Sequence, residues 1–330
     1  MRDRWSALGL AGVGNGLTGT KGLGTHRRAF VCLIGTGIIW GTIGTAAKFL
    51  FRETDLDAVT ISWLRALIAC PIYLALAWRA LGSHLFRASR RDLATMVGLG
   101  VILIVYQWLY LLAVDRLGVS SATLISLCVP PVLVAVVSVL LLGERLNERT
   151  VAALIGALLG TALLVGFQTG GGDHEGSTAT GVLFALGCAV GIACHVLGSR
   201  SITGRHHTLR PLAIGFPSGV IAFAPLLASQ DLTLHLPAVG WFWLLYLGIV
   251  PSVAGYWLYQ RGLQDLSATT ASIITLLEPL VAAILAWAIF DERLGVLGWI
   301  GGLLLMGSIV VLSMESPAAV RETAEDVALA

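Results

Sequence analysis

Residues 119–146 read VSSATLISLCVPPVLVAVVSVLLLGERL, and residues 267–294 read SATTASIITLLEPLVAAILAWAIFDERL. These two stretches repeat each other at a single offset of 148 residues. The offset pairs Pro131 with Pro279 and Glu144 with Glu292. Apolar segments resemble one another through composition alone, but composition does not place an acid-Arg-Leu run at the same distance after a proline twice. The chain therefore contains an internal repeat.

The composition indicates a membrane protein. Of the 330 residues 56% are hydrophobic and 12% are charged, and the mean hydropathy is +0.85. Soluble domains carry about 25% charged residues, so this chain has too little polar surface for a soluble enzyme of its size. The net charge of +2 gives no sign of nucleic-acid binding, and the five cysteines lie inside apolar stretches with no disulfide or metal-ligand spacing.

Ten apolar stretches reach the length of about 20 residues that a transmembrane helix needs. They run near 29–51, 58–78, 93–114, 120–142, 150–167, 181–199, 211–229, 239–260, 268–290 and 295–314. The fold predicted from this pattern is an all-α integral membrane protein with ten transmembrane helices. The short connections leave no room for a soluble domain.

The repeat divides the chain into two halves of five helices each. We expect a tail over 1–28, a first repeat over 29–167, a second repeat over 179–314 and a second tail over 315–330. Because five is odd, the second repeat must enter the membrane upside down relative to the first. Inverted repeats of this kind are typical of secondary transporters.

The positive charges predict the orientation. With the amino terminus inside, sixteen of the 21 Lys and Arg residues fall on the cytoplasmic side and three fall on the other side. This asymmetry follows the positive-inside rule. We expect a multi-pass protein of the plasma or inner membrane with both termini in the cytoplasm.

Several residues together resemble a known family. They are Trp40-Gly41, Arg65, Tyr110, Pro131 with Gly143–Leu146, Pro251, Glu278-Pro279 and Glu292–Leu294. In this order and spacing the chain resembles the drug/metabolite transporter superfamily, in its EamA-like branch of ten-span proteins, over about residues 29–314. The second repeat departs from the pattern in having Asp291 where Gly is usual and in lacking the Trp of span 1. The resemblance implies an exporter or facilitator of small metabolites such as amino acids, purines or drugs, often driven by an ion gradient.

Ionisable side chains within a bilayer are functional candidates because they are costly to place there. Arg65, in span 2, is a candidate to bind a substrate carboxylate; the alternative is a packing role with hydrogen bonds to helix-end carbonyls. Lys48 lies near the end of span 1, where it either contributes to coupling or extends its amine to the membrane surface.

Glu278 is a candidate proton carrier. It lies near the middle of span 9 before Pro279, which frees one backbone carbonyl nearby. A carboxyl group in hydrocarbon can bind and release a proton, whereas the structural alternative is a permanently neutral group bonded to the freed backbone. His195 in span 6 is a substrate-binding candidate, and the alternative there is a satisfied core histidine.

Aromatic and amide side chains in the spans suggest a pocket for an amphipathic metabolite. The candidates are Trp40, Gln107, Tyr110, Tyr256 and Tyr259. Ordinary packing or interfacial anchoring is the alternative for each. Glu144 and Glu292, at the ends of spans 4 and 9, are interpreted as loop caps or as gating ion pairs.

The function favoured by the sequence is a secondary membrane transporter that works by alternating access. We expect an exporter of small metabolites, either amino-acid-like or drug-like, with protons as the candidate coupling ion. The chain has no nucleotide-binding G-x-x-x-x-G-K-[ST] run and no catalytic H-E-x-x-H or G-x-S-x-G run. We therefore expect no catalytic residue, metal or cofactor. A membrane-embedded scaffold, sensor or enzyme remains the alternative. The expected partners are the lipid bilayer and a small-molecule substrate, and the chain is either a monomer or a homodimer.

Overall fold

The computed structural model describes residues 23–117, 119–142, 146–166, 178–227, 236–290 and 295–314. The ordered elements of these ranges form ten helices, which we number α1 to α10. Their bounds are α1 Leu23–Glu53, α2 Ala58–Leu81, α3 Arg90–Leu117, α4 Val119–Val137, α5 Glu148–Gly166, α6 Thr178–Ile202, α7 Leu209–Leu227, α8 Ala238–Gly262, α9 Ala268–Phe290 and α10 Val296–Ser313. A short 3₁₀ helix, Gly82–Phe86, follows α2, and a π-helical turn, Ser138–Leu142, extends α4.

Nine of the ten described helices are long and apolar enough to cross a membrane, and α7 has a shorter apolar segment, Leu209–Pro225. Large hydrophobic side chains remain exposed on the outside of the bundle; Val296 and Leu303, for example, are 76% and 72% exposed. Such a surface requires lipid rather than water as its solvent. The prediction of an all-α membrane protein with ten helices is confirmed.

Helix packing in the bundle follows the inverted repeat. Contacts of α3 with α6 and α7 have counterparts in those of α8 with α1 and α2, and the contact of α4 with α6 corresponds to that of α9 with α1. The pairs α2–α7 and α5–α10 each correspond to themselves. Adding five to each helix number of the first half therefore reproduces the packing of the other half, as a twofold axis between two inverted five-helix repeats requires.

The bundle has two ends. We call the end where α1 begins the amino-terminal side; α2, α4, α6, α8 and α10 end there, and α3, α5, α7 and α9 begin there. The other end is called the opposite side. Both sides are exchanged by the twofold axis, so any polar group present on only one of them breaks the symmetry.

Glycines allow two helix pairs to approach closely. A Cβ added to Gly160 of α5 would lie 2.7 Å from the carbonyl oxygen of Gly301 in α10, and one added to Gly301 would lie 2.6 Å from the carbonyl oxygen of Gly160. Gly100 of α3 meets the backbone of Gly215 in α7 in the same way. These glycines thus let helices of the same chain pack closely against one another.

We predict that Gly160→Ala lowers the free energy of unfolding by about 1–3 kcal/mol, because the methyl group forces α5 and α10 apart. Gly44→Ala is the matched control, since nothing lies within 4 Å of a Cβ at Gly44. Alanine is the better helix former, so the control variant should be neutral or slightly more stable. Thermal unfolding of the purified protein in detergent measures both. Equal melting temperatures for the two variants would contradict the close contact.

Candidate functional site

The helical ladder of α8 is interrupted at Pro251. Helix α8 runs as Ala238–Ile249, changes to a π-helical turn over Val250–Gly255 and resumes as Tyr256–Gly262. Proline has no N–H to donate to the carbonyl oxygen four residues earlier, which is that of Leu247. The hydroxyl of Ser252 donates to this oxygen instead, at 2.9 Å. Such π-helical turns are frequent at functional sites.

Helices α1 and α2 supply donors to the other carbonyls of this turn. Trp40 Nε1 donates to the Pro251 oxygen at 3.2 Å. The hydroxyl of Tyr73, which is fully buried, lies 2.9 Å from the Ser252 oxygen and 2.8 Å from the Val253 oxygen. The turn is therefore held in a fixed position between α1 and α2, and its irregular backbone is satisfied inside the bundle, as hydrocarbon requires.

Arg65 of α2 points to this turn. Its Nε lies 3.4 Å from the Ser252 hydroxyl, which accepts the hydrogen bond. The guanidinium also lies within electrostatic range of the Glu278 carboxyl and of the Tyr106 and Tyr256 hydroxyls. In the described part of the chain, Arg65 and Glu278 form no direct ion pair. Both side chains are half-buried, so opposite charges face each other across the interior without neutralising one another by contact.

Glu278 lies just beyond a break in α9. The helix consists of Ala268–Thr275 and Leu277–Phe290, and the break at Leu276 precedes Pro279, which cannot donate to the carbonyl of Thr275. The Thr275 carbonyl is therefore the one that the proline frees near Glu278. The break places the carboxyl near the middle of the bundle, about ten residues from the start of α9.

Tyr256 is the centre of an aromatic cluster beside these charges. Its ring lies 4.9 Å from the ring of Trp40 and 5.3 Å from that of Phe216, and Trp40 in turn lies 5.4 Å from Tyr259. The hydroxyls of Tyr256 and Tyr106 are 3.1 Å apart. Tyr106 belongs to α3 and Tyr256 to α8, which are equivalent helices, so this bond joins the two repeats near their axis.

His195 and Tyr259 each present a buried polar atom to the same region. His195 Nδ1 lies 3.3 Å from the Leu99 carbonyl oxygen, so Nδ1 carries the proton and donates. Nε2 is then an acceptor, and among the described residues it has no hydrogen-bond partner; nor has the Tyr259 hydroxyl. Buried polar atoms in proteins are nearly always satisfied. A solute or water molecule that reaches the cluster can satisfy both.

A small recess with an internal volume of about 10 Å³ lies between α2, α3 and α7, in the half of the bundle nearer the opposite side. It is lined by Val59, Ser62, Trp63, Ile104, Gln107, Trp108, Leu111 and Phe223. Ser62 lies one helical turn before Arg65, and Gln107 lies close to the Tyr256 hydroxyl. The recess therefore lies next to the charged and aromatic residues.

The structure brings most of the predicted site residues together. Those found around the π-helical turn are Trp40, Arg65, Gln107, His195, Tyr256, Tyr259 and Glu278. Tyr110 lies within electrostatic range of the Glu278 carboxyl as well, and its hydroxyl lies 2.7 Å from that of Thr123 in α4.

Besides Glu278, the predicted coupling and gating residues are Lys48, Glu144 and Glu292. Lys48 is on the opposite side, with its Nζ 4.0 Å above the ring of Phe290. Glu144 and Glu292 lie outside the described residues.

Three residues of the site escaped the sequence analysis: Tyr73, Tyr106 and Ser252. Each acts through a partner 150 or more residues away in the chain. Hydropathy and local spacing contain no signal of such contacts. Ser252 carried the one usable signal, because a hydroxyl next to a proline in a transmembrane helix can replace the lost donor.

The fold and the intramembrane charges together define a multi-pass membrane transporter. The EamA-like transporter family matches residues 27–166 and 179–314, so the chain belongs to this family, within the drug/metabolite transporter superfamily. Its packing into two equivalent halves agrees with a match that occurs twice.

Relatives carry transporter names. The uncharacterized inner membrane transporter YicL of Salmonella typhimurium is 23% identical over 89% of this chain and 98% of its own. The uncharacterized transporter YwfM of Bacillus subtilis is 26% identical over 83% and 90%, respectively. A crystal structure of another protein shares the fold, with a TM-score of 0.75 at 20% identity over 87% of this chain and 98% of that one.

We predict that Ser252→Ala lowers the free energy of unfolding by about 1–3 kcal/mol, because it leaves the Leu247 carbonyl without a donor in a buried position. Ser308→Ala is the matched control: the Ser308 hydroxyl donates to the Leu304 carbonyl in α10, a helix without a proline, and supplements the backbone bond to the same carbonyl. Thermal unfolding in detergent compares the two. A control that is destabilised as much as Ser252→Ala would show that the π-helical turn does not depend on this hydroxyl.

Proposed function

We propose that this transporter exports small amphipathic metabolites by alternating access, with proton coupling through Glu278. The observation that carries the proposal is the pair of opposite charges at Arg65 and Glu278, held apart in the interior beside the aromatic cluster. An intramembrane ionisable residue marks a substrate or ion pathway by default. Here two such residues lie within electrostatic range of each other.

Arg65 suits a substrate carboxylate. A guanidinium keeps its charge in a poorly hydrated site and binds a carboxylate with two parallel hydrogen bonds. The Ser252 hydroxyl accepts from Nε, which leaves the two terminal nitrogens for such a fork. A solute with a carboxylate and an apolar or aromatic body would place that body against Trp40, Tyr256 and Tyr259. Amino-acid-like solutes fit this description better than permanently cationic drugs.

Glu278 suits a proton. Its carboxyl has one strong cation in range, Arg65, and it makes no direct contact with it. When a substrate carboxylate occupies Arg65, the guanidinium is neutralised, and a charged Glu278 then loses its only cation in range among the described residues. Protonation of Glu278 removes that unpaired charge from the interior. Substrate and proton binding would thereby favour one another. Solute and proton would then leave together, and the outward solute gradient would drive the export.

Alternating access follows from the inverted repeat. Two similar halves of opposite orientation give two conformations of similar energy, one open to each side. By the positive-inside rule the amino-terminal side, with both termini, is cytoplasmic. Reporter fusions at each terminus, which are active on one side of the membrane only, test this orientation.

Counterflow in proteoliposomes tests the function. We expect uptake of amino-acid-like solutes from a mixed panel that also contains nucleobases and cationic drugs, with no ATP present. A pH gradient that is acidic on the side from which the solute enters should increase this uptake. Uptake that ignores the gradient would reduce the protein to a facilitator, and no flux for any solute of the panel would contradict transport of this class.

We predict that Arg65→Gln decreases counterflow of carboxylate solutes at least about tenfold, the loss of one charged hydrogen-bonding partner, and leaves neutral solutes less affected. Glu278→Gln should retain solute exchange but lose the response to the pH gradient, because the amide cannot carry a proton. Arg116→Gln, which changes an exposed arginine paired with its neighbour Asp115, is the matched control. If it reduced flux as much as Arg65→Gln, a specific role of Arg65 would be excluded.

A further inference from the structure

A buried polar relay connects three segments on the amino-terminal side. His206, in the connection between α6 and α7, lies with Nε2 2.9 Å from the Asp92 carboxylate at the start of α3. Its Nδ1 lies 2.8 Å from Nη1 of Arg210, in the first turn of α7. Arg210 Nη2 then donates to the carbonyl of His84 in the 3₁₀ helix after α2, at 2.9 Å. The side chains of His206 and Asp92 are only 9% and 12% exposed.

The geometry assigns the proton on His206. Arginine is a donor only, so Nδ1 of His206 must accept the hydrogen bond from Arg210. Nε2 must then carry the proton and donate it to Asp92. The relay is therefore made by a neutral imidazole of one defined tautomer. A second proton has no place in it, because it would sit on Nδ1 and point at the Arg210 guanidinium.

The relay is one of several groups of hydrogen bonds that join the connections between helices on the amino-terminal side. Next to it, Gln264 in the α8–α9 connection donates to the Thr208 hydroxyl at 2.7 Å. One turn deeper, Gln260 of α8 donates to the Ser199 hydroxyl of α6 at 3.4 Å, and Ser199 is fully buried. The connections after α2, α6 and α8 are thus tied together on the same side.

We propose that Asp92, His206 and Arg210 form a proton-sensitive latch that keeps the amino-terminal side closed, and that a proton bound at His206 Nδ1 opens it. The inference goes with the proposed alternating access, since it names the gate of one side. It also names a proton site, at His206, that is separate from Glu278 and the substrate site.

The charges that face His206 determine the direction of the effect. Asp92 lies on α3 and Arg210 on α7. Arg205 lies in the same connection as His206, with its Nη2 3.3 Å from Asp92. The His84 segment contributes a carbonyl, and the neighbouring His207 ring accepts from the Leu209 N–H. With a second proton, His206 is one of three cations around a single carboxylate. Arg210 Nη1 loses its acceptor, and Arg210 Nε already has none among the described residues.

Release of Arg210 is the consequence. A buried guanidinium with two unsatisfied donors and a cation beside it is more stable in water. Its departure frees the start of α7 from the His84 segment, while the Asp92–His206 contact becomes an ion pair. A low pH on the amino-terminal side therefore releases the start of α7 from the His84 segment, whereas α3 stays bound to His206 through Asp92.

The accessibility of Ser199 to water reports on the latch. The five native cysteines are replaced, Ser199→Cys is introduced into the full-length protein, and its labelling by a water-soluble maleimide is timed in reconstituted vesicles. His206→Gln is the matched variant, because glutamine donates through Nε2 and accepts through Oε1 but does not titrate. Rates are compared between variants at the same pH, which removes the pH dependence of the thiol itself. Asp115→Asn is the control at the opposite side.

We expect equal, slow labelling of the parent and His206→Gln at about pH 7.5, and labelling of the parent about fivefold faster or more than that of His206→Gln at about pH 5.5. Asp92→Asn should label fast at both pH values, and Asp115→Asn should follow the parent. Equal rates for the parent and His206→Gln at both pH values would overturn the proposal. If Asp92→Asn cannot be purified in a folded form, the comparison of the parent with His206→Gln is sufficient to test the proposal. Because the readout is labelling and not flux, a latch without transport and transport without a latch are distinguishable.

Discussion

Hydrocarbon offers no hydrogen bonds, so every backbone carbonyl that Pro251 frees must find its donor inside the chain. The π-helical turn of α8 meets this demand with four side chains from three helices: Thr36 and Trp40 of α1, Tyr73 of α2 and Ser252 of α8 itself. The position of α8 relative to α1 and α2 is thereby determined by hydrogen bonds as well as by packing. The same turn offers the Ser252 hydroxyl to Arg65, so the need to satisfy one irregular segment also orients the central charge.

The fold was largely predictable from the sequence, and the site was predictable only in part. Ten apolar stretches and a repeat of odd helix number determine an inverted bundle, because both signals are local or periodic. Arg65, Glu278 and Tyr256 were recognisable as costly or aromatic groups at membrane depth, and they do lie together. Which side chains link them was not recognisable, because Tyr106 and Tyr73 reach partners 150 and 179 residues away.

The latch was missed for a different reason. Asp92, His206 and Arg210 occupy short polar segments at helix ends, and charges there are ordinary in any membrane protein. Only the contacts show that His206 is enclosed between an acid and an arginine. The polar groups of this protein are therefore distributed against its symmetry. The packing of the helices follows the twofold axis, but three features do not. Glu278 corresponds to Pro130, the π-helical turn at Pro251 belongs to α8, and the relay of Asp92, His206 and Arg210 lies on the amino-terminal side.

The self-corresponding pair α5–α10 acquires a particular meaning from the axis. A contact that a twofold axis maps onto itself is identical in two conformations that differ by exchange of the halves. The close approach of Gly160 and Gly301 therefore adds to the free energy that separates the folded from the unfolded chain, and cancels from the free energy that separates one open form from the other. In the proposed alternating access this pair acts as a pivot: it stays packed in both conformations and favours neither of them.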